Sequence, residues 1–265
     1  MKRKAVYSSP FRQFLLVILA LFLRELKTRF GRVRFGVFWT IAEPMVHIVI
    51  LLFIFVFIRG RMMPQVPFEL FLITGLIPFF LFRHIVTGLM ASIDANKSLF
   101  AYTPVKPIDT YITRTILEVV IYIVIFVIII LGFGFWGGLD VSVSNPLGVL
   151  AIFAIIVLTG FSFGVLASIL HSIFPATKMV VSIIMLPLYF LSAIMYPLWI
   201  IPSQYVEYLK YNPILHLIEL FRRNYFSHYP QIDGINIFYP LSVTLGALFI
   251  GLYLYRVRRF ALAAK

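Results

Sequence analysis

The sequence predicts an all-α membrane protein: six transmembrane helices, an N-terminal interfacial amphipathic helix, and short helices before the last span. Three observations carry this. The composition is 62% hydrophobic and 12% charged, with a mean hydropathy of +1.00, more apolar than a soluble domain of 265 residues. About six long apolar stretches alternate with short polar links, and a helix needs roughly 20 apolar residues to cross the bilayer core. The stretches are also continuous, as in VVIYIVIFVIIIL at 119–131. Barrel strands would be shorter and alternate, and a helix satisfies its own backbone hydrogen bonds in lipid. Little chain remains for soluble parts, so chemistry that needs a large extramembrane domain belongs to a partner.

The elements follow in order. Residues 1–10 are a basic, poorly ordered tail. Residues 11–34 begin apolar (FLLVILALFL) and turn basic (RELKTRF), with Phe14, Leu15, Ile18, Leu21, Phe22 and Leu26 at helical spacing. An apolar face beside a cationic flank predicts a helix lying in the interface plane; the alternative is a short seventh span. The transmembrane domain, 35–259, has spans near 35–58, 68–93, 110–136, 147–170, 179–199 and 237–255. The second contains Pro78 and the pair Arg83-His84, and the fifth is interrupted by Pro187 and Pro197. Between the second and third spans, DANKSLFAYTPVKPID reads as a short helix and a turn, ended by prolines. The long link at 200–236 predicts two amphipathic helices broken at Asn212-Pro213, resting on the outer membrane face or dipping into it.

Charge sets the orientation. The net charge is +13, and its placement points to a membrane surface rather than nucleic acid. Most of the 23 basic residues lie in 2–34, 97–114, 178 and 256–265. Arg59, Arg61, Lys210, Arg222 and Arg223 lie on the other side, and Arg83 lies within a span. The positive-inside rule then puts both termini in the cytoplasm, in keeping with an even number of spans. No small-residue cleavage site follows a short apolar core, so no signal peptide is read.

Several chemistries are excluded. With no cysteine there is no disulfide, thiolate nucleophile or cysteine metal site. No GxxxxGK precedes Ser or Thr, and no HExxH is present. The five histidines are dispersed. Glu118 is the most embedded acid; it is either functional, as carboxylates in spans often are, or a cap near a helix end. No proton-relay chain and no internal repeat favour a secondary transporter.

Three stretches carry more: RFGRVRFGVFWTIAEP at 29–44, SLFAYTPVKP at 98–107 and YNPILHLIELFRR at 211–223. In this order, with Gly36, Trp39 and Pro44 in the first and Asn212, Pro213, Glu219 and Arg222 in the last, the chain resembles the membrane subunit of an ABC exporter. The branch is that of capsular polysaccharide and O-antigen permeases, and the basic run at 23–30 is most similar to the capsular type. The resemblance implies an inner-membrane permease that works with a second copy of itself and two ATPase subunits, which would bind ATP and Mg; this chain itself carries no cofactor and no catalytic residue. It implies a coupling helix at 94–106, with Asp94, Lys97, Leu99, Phe100, Tyr102 and Lys106 meeting the ATPase, and a smaller contact at 171–178. The exported substrate would be a lipid-linked polysaccharide, handed to a periplasmic or outer-envelope adaptor near 200–236.

Substrate contacts are expected from two residue classes. Aromatic rings hold sugar C–H faces, which singles out Tyr189, Tyr196, Trp199, Trp136 and Trp39, although belts of Trp and Tyr also mark membrane interfaces. Cations suit an acidic glycan: Arg83 and His84 at depth, and Arg24, Lys27, Arg29, Arg32 and Arg34 at the interface, where binding of lipid headgroups is a compatible reading. Alternative cargoes are O-antigen, teichoic acid or a small molecule; a different class of reading is a non-transporting scaffold for glycan biosynthesis.

Overall fold

The computed structural model describes residues 9–31, 42, 45–51, 53–54, 66–100 and 105–264, with side chains for all of these except 29–31, 263 and 264. Among the described residues every regular element is helical. They are α1 (Pro10–Gly31), α2 (Phe68–Met90), α3 (Ser92–Asn96), α4 (Pro107–Phe135), α5 (Pro146–Ile173), α6 (Thr177–Leu191), α7 (Ser203–Leu209), α8 (Pro213–Tyr225) and α9 (Phe238–Ala264), with 3₁₀ turns at Lys97–Leu99 and Leu198–Ile200. Among the described residues four helices are long and apolar enough to cross a membrane: α2, α4, α5 and α9. The predicted first span falls mostly outside the described residues; within it 42, 45–51 and 53–54 are described, and all of these are helical.

The bundle is built around α2, which is apolar over most of its surface and largely buried. It packs most extensively on α5, then on α4 and α8. Close approach to α5 depends on Gly160 and Gly164. A Cβ at Gly164 would stand 2.9 Å from Leu89 Cδ2 and 3.3 Å from Val86 Cα; one at Gly160 would stand 3.1 Å from Ile85 Cβ. Small residues four apart let membrane helices pack backbone against side chain. On the other side of α5, Thr159 and Thr244 of α9 share a 2.7 Å hydroxyl contact. The outward face of α4 is apolar at Ile116, Val120, Ile123, Val124, Val127 and Leu131, a stripe suited to lipid.

Local chemistry sets the helix starts. Pro107 and Pro146 occupy first-turn positions, where a missing N–H is harmless. Asp109 accepts from Lys106 N at 2.8 Å, and Asn145 accepts from Gly148 N at 3.1 Å. The bundle has two distinct ends. At one, Asp94, Ile108, His171 and Tyr255 lie together, with His171 Nε2 3.7 Å from Asp94 Oδ2 and Ile108 N donating to Tyr255 Oη at 3.3 Å. Here it is called the basic end, since Arg24, Lys97, Arg114 and Lys178 gather there. At the opposite end Ser144 N and Asn145 N donate to Tyr225 O and Asn224 O, each at 2.9 Å.

Two expectations change. The apolar run at 179–199 is not one continuous helix: α6 stops at Leu191 after 15 residues, roughly 22 Å at 1.5 Å per residue, shorter than a bilayer core of about 30 Å. Pro187 sits inside α6 without ending it; the stop comes at Ala193, whose φ of 54° is left-handed. The second change is at the C-terminus, where α9 runs through Arg256, Arg258 and Arg259 to Ala264 instead of ending near 255. Arginine is a good helix former, and Arg259 lies 4.7 Å from the Phe260 ring centroid.

Candidate functional site

At the basic end, α1 is bound into the segment between α2 and α4. Ile18 and Leu21 of α1 are buried, with Phe22 and Leu26 packed beside them, against α4. The next turn is polar. Arg24 Nη1 donates to Asn96 Oδ1 at 2.6 Å, and Asn96 Nδ2 donates to Glu25 Oε1 at 3.2 Å and to Ser92 O at 2.9 Å. Arg114 of α4 completes the knot, with Nε 3.2 Å from the same Glu25 oxygen and Nη1 donating to Gly88 O at 2.7 Å. Asn96 is 1% exposed, so these bonds form with little competition from water. Ser92 donates to Thr110 Oγ1 at 2.8 Å, which anchors the inner side of α3 as well. Its outer side is free: Asp94, Ala95, Lys97 and Ser98 are exposed. Asp94 pairs with Lys97 at 3.1 Å. The segment is therefore fixed on one face and charged on the other.

At the opposite end the polar centre is Arg222. It is fully buried, yet nearly all its donors are used. Nη1 donates to Ala193 O at 2.7 Å and to Glu219 Oε1 at 3.1 Å; Nη2 donates to Ile194 O at 2.9 Å and to Phe71 O at 3.1 Å. Its guanidinium stacks 3.6 Å from the Phe71 ring centroid. Asn212 acts alongside: its Nδ2 donates to Leu191 O at 3.2 Å and Ser192 Oγ at 2.9 Å, while its Oδ1 accepts from Ile214 N at 3.0 Å and caps α8. Tyr196 Oη donates to Phe190 O at 2.6 Å. The carbonyls left over at a helix C-terminus need partners: Leu188 O and Phe190 O accept from the nearby Ser192 and Tyr196, Leu191 O accepts from the distant Asn212, and Arg222 takes Ala193 O and Ile194 O just beyond the helix. Glu219 neutralises Arg222 and accepts from Tyr229 Oη at 3.0 and 3.1 Å. Burial pushes the Glu219 carboxyl up against the pull of Arg222. Burial, then Glu219, pushes the Tyr229 phenol well above its ordinary range, so it stays protonated and donates. His216 is pinned between Lys210 O at 2.8 Å and Asn236 at 3.2 Å.

Residues 17–226 match the family model described as ABC-2 type transporter. The chain belongs to the ABC-2 type transporter family. Among its curated relatives is the polysialic acid transport protein KpsM of Escherichia coli, 42% identical over 92% of this chain and 93% of the relative. The capsule polysaccharide export inner-membrane protein CtrC of Neisseria meningitidis serogroup A is 28% identical over 94% and 95%. The O-antigen export system permease protein RfbA of Klebsiella pneumoniae is 26% identical over 98% and 99%.

In this ABC-2 chain the predicted site residues divide into groups. Arg32, Arg34, Trp39 and Tyr102 lie outside the described residues, as do Gly36, Pro44 and the side chain of Arg29. Asp94 and Lys97 are exposed at the basic end, with Leu99 and Phe100 half-buried behind them; Lys106 stands at the start of α4. Arg83 is exposed on α2, while the adjacent His84 turns to α4, its Nδ1 2.9 Å from Tyr122 Oη. Tyr189 is buried among aromatic rings, stacked on Phe80 at 6.2 Å and edge-on to Phe79 at 5.3 Å. Trp136 is exposed. Tyr196 and Trp199 join the opposite-end centre, Trp199 packing edge-on to Phe71 and Tyr229. Asn212, Pro213, Glu219 and Arg222 come together as one unit. The helix they build is not laid on an outer surface: ten of its 13 residues are buried, against α2, α5 and α9. Sequence reasoning missed Asn96, Glu25 and Arg114 as partners. Their only signal was a lone acid in a basic run and an arginine near a span start. Among the described residues no three His, Asp or Glu side chains converge as a metal site.

Proposed function

We propose that this chain is the permease subunit of an inner-membrane exporter for lipid-linked capsular polysaccharide. It would act with a second copy of itself and with two ATPase subunits that bind ATP and Mg. The observation that carries the reading is the 42% identity, over 92% of this chain, with a polysialic acid transport protein. The O-antigen reading draws on a more distant relative, 26% identical. Both termini and the basic end lie in the cytoplasm on this reading, with α1 in the interface plane and the opposite end facing the periplasm, in keeping with the positive-inside rule.

The geometry supports a coupling role for α3 and the following 3₁₀ turn. A lever needs a face to be pushed and a body to push. Asp94, Lys97 and Ser98 offer the first; Asn96 and Ser92, bonded into α1 and α4, supply the second. Rigid-body motion entering here would pass to three helices at once. At the periplasmic end, the exposed tyrosines Tyr205, Tyr208 and Tyr211 are the surface for an envelope adaptor.

The test is co-purification with the ATPase, followed by assays of ATP hydrolysis and surface glycan for the wild type and for Lys97→Glu plus Lys106→Glu. Charge reversal is expected to abolish or uncouple hydrolysis and to stop export. If no ATPase co-purifies with the wild type, the proposal fails.

A further inference from the structure

A cleft opens at the basic end between α2–α3 on one wall and α6 with the last turn of α5 on the other. Its volume is about 380 Å³ and its polar lining is Thr87, Asp94, His171, Lys178 and Ser182. That volume falls in the usual range for small-molecule sites, about 300–1,000 Å³. Arg83 is not part of that lining; it precedes Thr87 by four residues, which puts it about one turn deeper on the same face of α2.

Charge in the cleft is uneven. Asp94 is held between Lys97 at 3.1 Å and His171 at 3.7 Å, so its negative charge is answered locally. Arg83 and Lys178 are exposed, and neither makes an ion pair among the described residues. The free charge is therefore cationic, with two hydroxyls, Thr87 and Ser182, beside it. Depth matters as well. Thr87 is seven residues before Asp94, roughly 10 Å along a helix, and Arg83 is deeper still. A soluble partner seated on Asp94 and Lys97 would not reach that far, whereas the polar head of an amphiphile would. The outward side of α6 beside it is apolar, with Met179, Ile183 and Leu186 exposed, and suits an acyl chain.

We propose that this cleft binds the phosphate ester and first sugars of an acidic, lipid-linked glycan before it is transported. Arg83 and Lys178 would hold the anion, and Thr87 and Ser182 would meet hydroxyls. This rests on the exporter reading above and names the site where its substrate is taken up. Bulk anionic phospholipid shares the phosphate chemistry, so the experiment separates the two.

The chain has no cysteine, so Ser182→Cys gives a single thiol in this subunit. Its maleimide labelling would be read by mass in the intact permease–ATPase complex, held in phosphatidylcholine nanodiscs. The probes are phosphatidylglycerol and a phosphoglycolipid bearing a short acidic oligosaccharide. Protection by the phosphoglycolipid at concentrations where phosphatidylglycerol has no effect is expected. Arg83→Gln plus Lys178→Gln is expected to weaken that protection at least about tenfold, as loss of bonds to charged groups does. Equal protection by both lipids overturns the substrate site in favour of a general headgroup site. No protection by either, protection that survives the double variant, or protection that comes from the ATPase alone also overturns it. The exporter reading fails separately: if wild-type cells place no glycan outside while labelling is still blocked, the cleft stands and the function does not. If export persists while labelling is indifferent to both probes, the reverse holds.

Discussion

Arg222 shows how much one side chain can be asked to do in this protein. Its guanidinium ties together α2, the end of α6 and α8 through four hydrogen bonds. Arg222→Ala would leave Glu219 buried without its charge partner, and such losses cost about 3–5 kcal/mol; the thermal midpoint of the purified complex is expected to fall sharply. Arg222→Lys is expected to rescue little, because an ammonium cannot reproduce the planar fork. Gly75 offers an independent check. A Cβ there would collide with Arg222 Nη2 and stand 3.3 Å from Ile194 Cα. Arg222 is pinned and cannot step aside cheaply, so Gly75→Ala is expected to destabilise by about 1–3 kcal/mol, read in the same melting experiment. The Asn-Pro and Arg-Arg dipeptides at 212–213 and 222–223 were visible in the sequence as a pattern. Their work was not, because the carbonyls they serve lie about 20 to 30 residues earlier in the chain and, for Phe71, far beyond that.

The helices divide into those legible from their own residues and those set by their neighbours. α2, α4, α5 and α9 exceed the length of a crossing by apolar composition alone, and Pro107, Asn145 and Pro146 mark their starts in sequence. α6 is different. Pro187 suggests a break where the helix continues, and the real end depends on caps brought from α8. At the contact between α2 and α5, Gly164→Leu is expected to force the helices apart and cost about 1–3 kcal/mol, lowering yield and melting temperature. At the basic end, Asn96→Ala removes the bonds from α3 to Arg24 and Glu25. If α3 drives the bundle through that knot, ATP hydrolysis persists in the variant while glycan exported per ATP falls. Equal loss of both would assign Asn96 to folding instead.

On the scale of the whole molecule, charge and polar structure are sorted by end. α2, α4, α5 and α9 each carry the chain from one end to the other, and the shorter α6 runs from the basic end to the Arg222 centre. A C-terminal green fluorescent protein fusion is expected to fluoresce, and alkaline phosphatase at the same point to stay inactive; inserted near Asp233, the two reporters are expected to exchange behaviour. The opposite pattern would invert the proposed orientation. The general plan was readable because lipid imposes long apolar runs and the flanking cations are unevenly placed. The two polar centres were not, since each joins residues distant in sequence. One further consequence concerns α6. Within this chain it buries only Met185 and Tyr189, and its far end is held by Arg222 and Asn212. Lipid is as apolar as leucine, so swinging the rest of α6 sideways gives up only a few packing contacts. Tied at one end and lightly packed along the rest, it costs less to displace than α2 or α5, which bury far more of their residues.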